Sequence, residues 1–393
     1  MRILILHNAY AQLGGEDAVV RAEVEGLRAR GHEVQLLARD SKELFDAPLR
    51  GAAETLCAVA NPEAARQLSR ALAALRPDVV HLHNLFPRWG LSALRTLQAR
   101  GVPTVQTLHN FRWLCAPATL LRDGADCRRC ASGNFTSAVR FACVRGSRAV
   151  SAGYALALAT NRASGLAERA VARFICVSEF VRTVHREAGF DPRKLVVKGH
   201  FVGSAPGALG PGDGSVIYAG RLSAEKGLAT LWRALPLLPG VTLKIAGDWP
   251  ERPQLEASLA QLPALPSRVI FLGRLTREAL QRELQRSSVC VVPSLGSETF
   301  GLSALEAFAC GCPVVATDAG GLPELVQHGQ NGFVVARGDA EALARQLRWL
   351  LERPEAARAF GRAGHALVER AYLPAANLEL LERIYRDAIA STR

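Results

Sequence analysis

The most constraining feature of this 393-residue chain is a repeated alternation of short apolar runs with amphipathic segments. The runs are dense in Val, Ile and Leu, which is typical of strands buried on both faces of a parallel sheet. Strands separated by helices predict an α/β fold with doubly wound sheets. The predicted strands are Arg2–Leu6, Glu33–Ala38, Asp78–His83, Thr104–Leu108, Phe174–Val177, Ser215–Ala219, Thr242–Ala246, Val269–Leu272, Val289–Pro293, Pro313–Ala316 and Phe333–Val335.

The segments between these runs carry the spacing of amphipathic helices. In the first segment, aliphatic residues from Val19 to Leu27 form one stripe, and Gly31 suits the left-handed residue that ends a helix. The predicted helices are Glu16–Arg30, Leu228–Leu238, Arg277–Ser287, Leu302–Phe308, Ala340–Leu351 and Pro374–Ile389.

The strand–helix pattern occurs twice, with a break between the copies. Residues Gly203–Gly214 read GSAPGALGPGDG, a Gly- and Pro-rich stretch without periodicity that is typical of a linker. We therefore predict one domain over 1–202 and a second over 215–373. A final helix over 374–393 is expected to pack back on the first domain.

Composition excludes some classes of protein. Hydrophobic residues are 49% and charged residues 21% of the chain, which excludes disorder as its main state. No stretch approaches 18 apolar residues, and the N-terminal apolar run is short enough to be a first strand instead of a signal peptide. We expect a cytoplasmic protein, with peripheral contact at the inner face of the membrane as a further option.

The net charge of +12 is unevenly distributed. Residues 1–200 hold 28 basic and 17 acidic side chains, and residues 81–150 hold ten Arg and two Asp. Such a block favours nucleic acid, anionic lipid or phosphorylated substrates as partners. The alternative is a solvated basic surface without a dedicated partner.

The stretch Ser297–Glu306, SETFGLSALE, holds two carboxylates eight residues apart. It follows a predicted strand, and a helix is expected to begin near Phe300. The free N–H groups at the start of a helix form an anion site at the carboxyl end of the strand. Glu298 is expected in the loop at its mouth, and Glu306 about one turn inside the helix.

A second motif, Gly220-Arg221-Leu222 followed by Glu225-Lys226-Gly227, comes after the first strand of the second domain. An Arg and a Lys at a strand end suit a diphosphate, because charged donors form strong hydrogen bonds to phosphate oxygens. The alternative for this motif alone is a solvated turn with a surface ion pair.

In their order along nearly the whole chain, these motifs resemble retaining nucleotide-sugar glycosyltransferases of family 4. The resemblance implies the GT-B fold, with two facing Rossmann-like domains and a cleft between them. The residues that carry it are Gly14-Gly15-Glu16, Gly31-His32-Glu33-Val34, Asp78-Val79-Val80-His81, Thr107-Leu108-His109, Val177-Ser178-Glu179, GRLSAEKG at 220–227, Ile245-Ala246-Gly247, Phe271-Leu272-Gly273, Pro293-Ser294, SETFGLSALEA at 297–307, Gly311-Cys312-Pro313-Val314-Val315 and Asn331-Gly332-Phe333.

The resemblance also implies roles for matching positions in the second domain. Arg221 and Lys226 match the pair that holds the donor diphosphate. Glu298 matches the carboxylate that contacts the donor sugar near the reacting centre, and Glu306 matches the residue that binds the nucleotide ribose.

Three further segments and one histidine take roles from the same resemblance. Phe300-Gly301-Leu302 matches the segment whose backbone N–H groups face the sugar and phosphates, and Arg274-Leu275 matches the segment that edges the base. In the first domain, Gly14-Gly15 matches the loop that approaches the diphosphate, and His109 matches the active-site histidine.

The implied reaction moves a sugar from a UDP- or GDP-type donor to a glycan, lipid-linked, phosphorylated or small-molecule acceptor, with retention of anomeric configuration. No Asp-x-Asp motif is present, so we expect no cofactor for catalysis. Two alternatives are a GT-B epimerase or phosphorylase, and a basic zinc protein that binds nucleic acid. The second lacks basic strands interleaved with aromatic residues, so no nucleic-acid partner is expected.

His81 and His83 end a predicted strand and lie on the same side of it if the strand continues. A structural role is the simpler interpretation of each. A metal pair is the alternative, but the sequence near them offers no third ligand.

Cys115, Cys127, Cys130 and Cys143 have the spacing C-x11-C-x2-C-x12-C in a stretch expected to be loop-like, about 111–148. This spacing favours a structural zinc site, with free thiols or a disulfide as alternatives. A subset of the family has a similar insertion. Cys176 and Cys290 lie inside strand-like runs and are expected in the core.

The cysteine-bearing insertion coincides with the basic block. We expect its arginines to form a surface that faces the acceptor or an anionic membrane. They are Arg112, Arg122, Arg128, Arg129, Arg140, Arg145 and Arg148.

Overall fold

The computed structural model describes residues 1–9, 14–40, 50–206, 212–248 and 266–392, together with Pro253, Ala257 and Leu259. The chain divides into two compact units. The first comprises Met1–Arg122, Cys127–Gly199 and Ala375–Arg393, and the second comprises Asp123–Asp126 and His200–Pro374. The predicted linker includes residues 207–211, which lie outside the described residues.

The first unit alternates strands with helices. Its elements are β1 (Arg2–Ala9), α1 (Gly15–Ala29), β2 (Glu33–Asp40), α2 (Arg50–Val59), α3 (Pro62–Leu75), β3 (Val79–Leu82), α4 (Gly90–Arg100), β4 (Thr104–Leu108), β5 (Leu121–Arg122), β6 (Ala125–Asp126), α5 (Thr136–Arg140), α6 (Arg148–Ser164), α7 (Leu166–Ala170), β7 (Arg173–Cys176), α8 (Glu179–Glu187) and β8 (Leu195–Val197). Strand β6 is an exception, because residues Asp123–Asp126 belong to the second unit.

The second unit repeats the alternation, with three-residue 3-10 turns at Ala224–Lys226, Leu235–Leu237 and Pro266–Arg268. Its elements, and the last helix of the chain, are β9 (Val216–Ala219), α9 (Leu228–Ala234), β10 (Leu243–Ala246), β11 (Val269–Gly273), α10 (Arg277–Arg286), β12 (Val289–Val292), α11 (Leu302–Ala309), β13 (Val314–Thr317), α12 (Leu322–Leu325), β14 (Gly332–Val335), α13 (Ala340–Leu351), α14 (Pro354–Ala371) and α15 (Pro374–Thr392).

Each unit is built on a parallel sheet that has six strands within the described residues. The strand orders are β2-β1-β3-β4-β7-β8 and β11-β10-β9-β12-β13-β14. All the strand pairs of these two sheets are parallel. The predicted fold class of two Rossmann-like sheets is confirmed.

The strands form because their side chains are apolar on both faces. Residues Ile3–Leu6 of β1 are fully buried, as are Val289–Val291 of β12. Parallel sheets covered by helices on both sides require such runs. Cys176 and Cys290 are also fully buried, which confirms their expected place in the core.

The order of strands reverses between β1 and β3 in the first sheet and between β9 and β12 in the second. In open α/β sheets, ligands bind beyond the carboxyl ends of the strands at such reversal points. In the first sheet, His83 directly follows β3. In the second sheet, Arg221 lies just beyond β9, and the loop that holds Glu298 follows β12. The fold therefore carries candidate residues to the position where a site is expected.

The structure corrects several predicted elements. The helix after Lys226 stops at Ala234 and continues as a 3-10 turn, because Pro236 has no N–H to donate. By contrast, the helix predicted over Leu302–Phe308 is present as α11 and is only one residue longer. Strand β8 was missed because it has only three residues. The insertion contains the β5–β6 hairpin and helix α5, so it is not wholly loop-like.

The last helix, α15, packs within the first unit, with Leu381 and Tyr385 fully buried. Its Glu382 carboxylate accepts hydrogen bonds from Arg30 at 2.6 Å and from His32 at 3.0 Å. The two partners hold the pKa of Glu382 far below its usual range, at about 2. These contacts join the end of the chain to the helix α1 and strand β2 connection.

Among the described residues, none of the helices has the length and apolar character needed to cross a membrane.

Candidate active site

In the second unit, the loop after β9 is tied to the loop after β12. The N–H groups of Leu295 and Gly296 donate to the Glu225 carbonyl at 2.9 and 3.0 Å. Gly227 has φ +76°, and a Cβ there would lie 1.8 Å from the Pro293 carbonyl oxygen. Only glycine allows the two loops to approach so closely, which explains the glycine after Lys226.

The contact between these loops brings the Lys226 ammonium to the Glu298 carboxylate. Lys226 Nζ donates to Glu298 Oε1 at 2.6 Å, and Ser294 Oγ donates to the same oxygen at 2.5 Å. Burial would raise the pKa of Glu298, but the Lys226 charge and these hydrogen bonds outweigh it and hold the pKa below its usual value. Glu298 is therefore an ionised, oriented carboxylate.

The backbone of Glu298 is fixed by the loop after β13. Gly321 N donates to the Glu298 carbonyl at 2.8 Å, and Thr317 Oγ1 donates to the Ser294 carbonyl at 2.6 Å. Gly320 has φ +63°, and a Cβ there would lie 2.1 Å from the Glu298 carbonyl oxygen. Three loops at one edge of the sheet thus hold the carboxylate in place.

Arg221 lies on the same edge. Its Nη2 is 3.1 Å from Glu225 Oε1, which also accepts from Ser223 Oγ at 2.7 Å. The Arg221 side chain is 46% exposed. The two cations predicted to hold a diphosphate are therefore each beside a carboxylate, with the arginine accessible to solvent.

The segment before α11 presents backbone and not side chains. Phe300 is buried and packs edge-to-face on His200 and Tyr372, at ring distances of 5.0 and 5.8 Å. Gly301 has φ +106°, and a Cβ there would lie 2.6 Å from Leu322 Cδ2. The Phe300 side chain therefore anchors this turn, and the expectation that the N–H groups of 300–302 face the sugar and phosphates stays a prediction.

Glu306 is half-buried in α11, which Ser303 ties to β9 through a 2.7 Å hydrogen bond to the Ala219 carbonyl. Burial raises the pKa of Glu306 to about 7, against the opposing charge of Arg277. Unlike Glu298, this carboxylate takes up a proton near neutral pH.

Arg274 and Leu275 follow β11 directly. The arginine is exposed and the leucine half-buried. Gly247 N donates to the Gly273 carbonyl at 2.8 Å, and a Cβ at Gly247 would lie 1.9 Å from the Gly220 carbonyl oxygen. The carboxyl ends of β9, β10 and β11 are therefore packed backbone to backbone, which explains the glycine after Ile245-Ala246.

In the first unit, Gly14 caps α1 and Gly15 begins it. Gly14 has φ −115°, and a Cβ there would meet only Asp17 Oδ2, at 3.8 Å. Within the described residues, neither backbone conformation nor packing requires glycine at 14, and the expected approach of this loop to a diphosphate stays a prediction. Asp17 also lies 2.9 Å from the ring of His7, a buried partner that the sequence did not predict.

His109 follows β4 and lines a pocket of the first unit with Glu16, Asn84 and Arg112. Its ring stacks on His83 at 5.1 Å, and its Nε2 lies 2.7 Å from His83 Nδ1. The histidine implied by the resemblance is therefore beside a pocket, and its ring is held by a second histidine.

His81 and His83 lie side by side, with ring centroids 4.1 Å apart. The third possible ligand, which the sequence near these histidines did not offer, is the carboxylate of Glu23 in α1. Among the described residues, Glu23, His81 and His83 form the group whose ligand atoms lie within 4.8 Å of one another. However, Lys198 Nζ lies 2.8 Å from Glu23 Oε1, so an ammonium already supplies the positive charge.

Sequence reasoning missed Glu23 and Lys198. Glu23 lies on the apolar stripe of α1, and a carboxylate among aliphatic residues was the available signal. Lys198 follows the missed strand β8, so its register could not be assigned.

Two protein families match the chain in succession. The family described as "Glycosyltransferase Family 4" matches residues 13–202, and "Glycosyl transferases group 1" matches residues 206–366. The chain belongs to glycosyltransferase family 4. The two matches meet where the predicted linker begins.

Curated relatives of this family 4 chain match it over part of their length. A sulfoquinovosyl transferase of Arabidopsis thaliana is 35% identical over 177 residues, which is 44% of this chain and 34% of that protein. A glycogen synthase of Mycobacterium tuberculosis is 39% identical over 156 residues, which is 39% of this chain and 37% of that protein. The chain thus matches little more than a third of their length.

Solved structures share the fold over the whole chain. Sucrose-phosphate synthase of Thermosynechococcus elongatus has a TM-score of 0.76 at 22% identity and full coverage of both chains. Anabaena HepE in complex with UDP and glucose has a TM-score of 0.70 at 19% identity, covering 98% of each chain. These likenesses show the GT-B fold.

The insertion of this family 4 chain gathers its four cysteines. No disulfide joins any of the nine cysteines, all of which are described. Burial, together with the neighbouring thiols of Cys115, Cys127 and Cys143, raises the pKa of Cys130 to about 11. Burial also raises the pKa of Cys115, although backbone N–H groups of 118–120 donate to its sulfur. Among the described residues, no three of these four sulfurs lie within 4.8 Å of one another.

Four arginines of the insertion lie against aromatic rings. Arg122, Arg129 and Arg140 surround the Phe141 ring, at 4.0, 5.7 and 5.4 Å from its centre. Arg112 instead lies over the Tyr154 ring at 4.9 Å and lines the His109 pocket.

Proposed function

We propose that this protein transfers a sugar from a UDP- or GDP-type nucleotide sugar to an acceptor hydroxyl, with retention of anomeric configuration. The observation that carries the proposal is the Lys226–Glu298 pair, 2.6 Å apart, beyond β9 and β12 where the strand order reverses. The family match and the fold support the same reaction class.

The leaving group of such a reaction is a nucleoside diphosphate, on which negative charge grows as the glycosidic bond breaks. Lys226, Arg221 and the N–H groups at the start of α11 belong to one edge of the second sheet. Preorganised positive groups lower the barrier most where charge develops. We assign these groups to the diphosphate, and the exposed Arg274 to the edge of the base.

Glu298 suits sugar binding better than nucleophilic attack. Its Oε1 accepts from Lys226 and from Ser294, and both donors reduce the electron density available for attack on carbon. We therefore propose front-face substitution, in which the acceptor oxygen bonds to the anomeric carbon as the bond to phosphate breaks. The departing phosphate takes the acceptor proton. Glu306, on this proposal, accepts from the ribose hydroxyls.

A donor-binding experiment tests the proposal. Thermal shift with a panel of UDP- and GDP-sugars should raise the melting temperature for one nucleotide class, because a ligand that binds only the folded state stabilises it. Lys226→Ala should abolish most of the shift and at least about 90% of transfer. Lys244→Ala is the matched control, because Lys244 also pairs with carboxylates, Asp213 at 2.7 Å and Glu283 at 3.1 Å, on the sheet itself.

Two outcomes contradict the proposal. One is an equal loss in the two lysine variants, which indicates general destabilisation. The other is a transfer product with inverted anomeric configuration by NMR, which excludes front-face retention. Glu298→Gln should keep the fold and lose most transfer, since an amide is a weaker acceptor than a carboxylate.

We also propose that the acceptor is lipid-linked and reached at an anionic membrane surface. The support is the basic block and the three guanidinium groups around Phe141. Replacing Arg122, Arg129 and Arg140 by Ser should weaken binding to phosphatidylglycerol vesicles and remove its salt dependence. The control replaces Arg286, Arg345 and Arg362 of the second unit by Ser, with the same change of charge. Equal binding by both triple variants overturns the proposal.

Finally, we propose that Cys115, Cys127, Cys130 and Cys143 bind structural zinc. Sulfurs around tetrahedral zinc lie about 3.8 Å apart, since Zn–S bonds are about 2.3 Å. The thiols of Cys115, Cys127 and Cys143 each act electrostatically on Cys130, which supports a shared site for the four residues. A tetrathiolate site carries two negative charges, which the surrounding arginines would balance. One zinc per chain by elemental analysis, lost in Cys130→Ser but not in Cys57→Ser, is the expected result; no zinc in either overturns it.

A further inference from the structure

The buried polar groups behind His109 are not used by the proposed chemistry. They come from distant parts of the first unit: Glu23 from α1, His81 and His83 from the end of β3, Lys198 after β8 and Tyr385 from α15. All are buried, with exposed fractions of 4% or less. Buried ionisable groups are costly unless they are paired, so their arrangement calls for a physical reason.

The polar contacts in this cluster form a path that leads to His109. Lys198 Nζ donates to Glu23 Oε1 at 2.8 Å, and Glu23 Oε2 lies 3.5 Å from His83 Nε2. His83 Nδ1 then faces His109 Nε2 at 2.7 Å. The path from Lys198 to the histidine beside the pocket thus has hydrogen bonds at both ends, and its middle step is a 3.5 Å contact of Glu23 Oε2 with His83 Nε2 that is not a hydrogen bond.

His83 is a neutral imidazole with a single ring proton. Burial lowers its pKa well below the usual value, and the neighbouring His81, His109, His7 and Lys198 lower it further. Because a carboxylate only accepts, the proton belongs on Nε2, which faces Glu23. His83 Nδ1 is then an acceptor, and His109 Nε2 must be the donor across the 2.7 Å contact.

We propose that His83 is a positioning residue that holds His109 as the Nε2–H tautomer, so that His109 Nδ1 is the acceptor for a substrate hydroxyl in the pocket. The other ring nitrogen of a histidine sets its role in this way at many sites. The inference rests on the proposed glycosyl transfer only for the identity of that hydroxyl. The tautomer itself is a property of the protein without substrate.

His81 takes no part in this path. Its Nδ1 lies 2.8 Å from the Tyr385 hydroxyl and its Nε2 lies 2.8 Å from Thr107 Oγ1, so both nitrogens have partners of their own. Burial lowers the pKa of His81 to about 4, so it is also neutral. It packs beside His83 without contacting His109 through a hydrogen bond.

The direct test is 15N NMR of histidine-labelled protein without ligand, with the His109 signals assigned from His109→Gln. We expect a protonated Nε2 and an unprotonated Nδ1. His83→Leu should give a mixture of tautomers. His83→Asn should preserve the tautomer, because its Oδ1 can accept where Nδ1 did. Tyr385→Phe, which removes a hydroxyl from the same cluster but not from the path, should leave the His109 signals unchanged.

A kinetic cycle tests the consequence, with UDP release from UDP-glucose as the probe where that donor binds. His83→Leu should lower kcat about tenfold or more, with a smaller change in KM and with partial rescue in His83→Asn. In a His109→Ala background, His83→Leu should have no further effect, because the two residues act as one unit.

The outcomes distinguish the inference from the proposed function. A His109 proton on Nδ1 in the wild-type protein overturns the inference whether or not transfer is detected. An equal loss of activity from His83→Leu with and without His109 indicates only structural damage and also overturns it. If no nucleotide sugar reacts while the Nε2–H tautomer is observed, the proposed function fails and the assignment of His83 stands.

Discussion

Replacing Lys198 by methionine should strongly destabilise the first unit. Lys198 and Glu23 are 3% and 1% exposed, and their charged atoms lie 2.8 Å apart. At an effective dielectric constant of 20, two unit charges at this distance attract by about 6 kcal/mol. Desolvation offsets part of this in the native protein. Removing one partner leaves a buried charge, so we expect the free energy of unfolding to fall by about 3–5 kcal/mol.

The assay is equilibrium urea unfolding, followed by circular dichroism at pH 7.5 and at pH 5. The loss in Lys198→Met should be smaller at pH 5, because without the ammonium the buried Glu23 carboxyl has its pKa raised. A protonated Glu23 then needs no cation, and the penalty returns as pH rises. Adding Glu23→Gln to Lys198→Met should recover at least half of the lost stability.

The control is the exposed pair of the same unit. Arg2 and Asp78 lie 3.3 Å apart with side chains 44% and 39% exposed, and such pairs contribute about 0–1 kcal/mol. Arg2→Met should therefore cost less than about 1 kcal/mol. A loss below this limit in Lys198→Met, or a double variant no more stable than Lys198→Met, would refute the description of Lys198–Glu23 as a buried ion pair.

Three further predictions follow from other sites. Burial raises the pKa of Glu306 to about 7, so the free energy of unfolding of the wild-type protein should fall as pH rises from about 4.5 to 7. UDP affinity should rise through the same range if the Glu306 carboxylate binds ribose. Glu306→Gln should flatten the stability curve in urea unfolding and the affinity curve in calorimetry. Gly227→Ala should lose donor binding by thermal shift. Gly214 has a similar φ of +79°, but a Cβ there would meet no described atom within 4 Å, so Gly214→Ala should lose only about 1 kcal/mol of stability. Tyr385→Phe should lower the free energy of unfolding by about 1–2 kcal/mol, because buried His81 loses a partner; no change in urea unfolding would contradict this.

Much of the fold was predictable from the chain itself. Every predicted strand is present, because a run of aliphatic residues buried on both faces carries its own signal. The errors have local causes. Strand β8 is too short for a periodic signal, and Pro236 ended α9 early by removing a donor. The hairpin of the insertion was not predicted, because its strands have only two residues each and carry no periodic signal.

The candidate site was predictable where its residues are close in sequence. Glu298 and Lys226 were both found from motifs, but the hydrogen bond between them depends on the close approach of Gly227 to Pro293. That approach involves two loops about 70 residues apart. Motif spacing identifies such residues, while only packing decides which of them pair.

The sequence by itself determined the class of fold, the two halves and the family, because strand composition and short motifs are local properties. The tertiary structure alone decided the partners of the first-unit histidines. The interacting residues come from four places spread over the chain, and no regular sequence spacing relates them. They are Glu23, His83, Lys198 and Tyr385. Their roles follow from hydrogen bonds and burial, which depend on distance in space. The nitrogen of the His109 ring that carries the proton is therefore decided by tertiary structure.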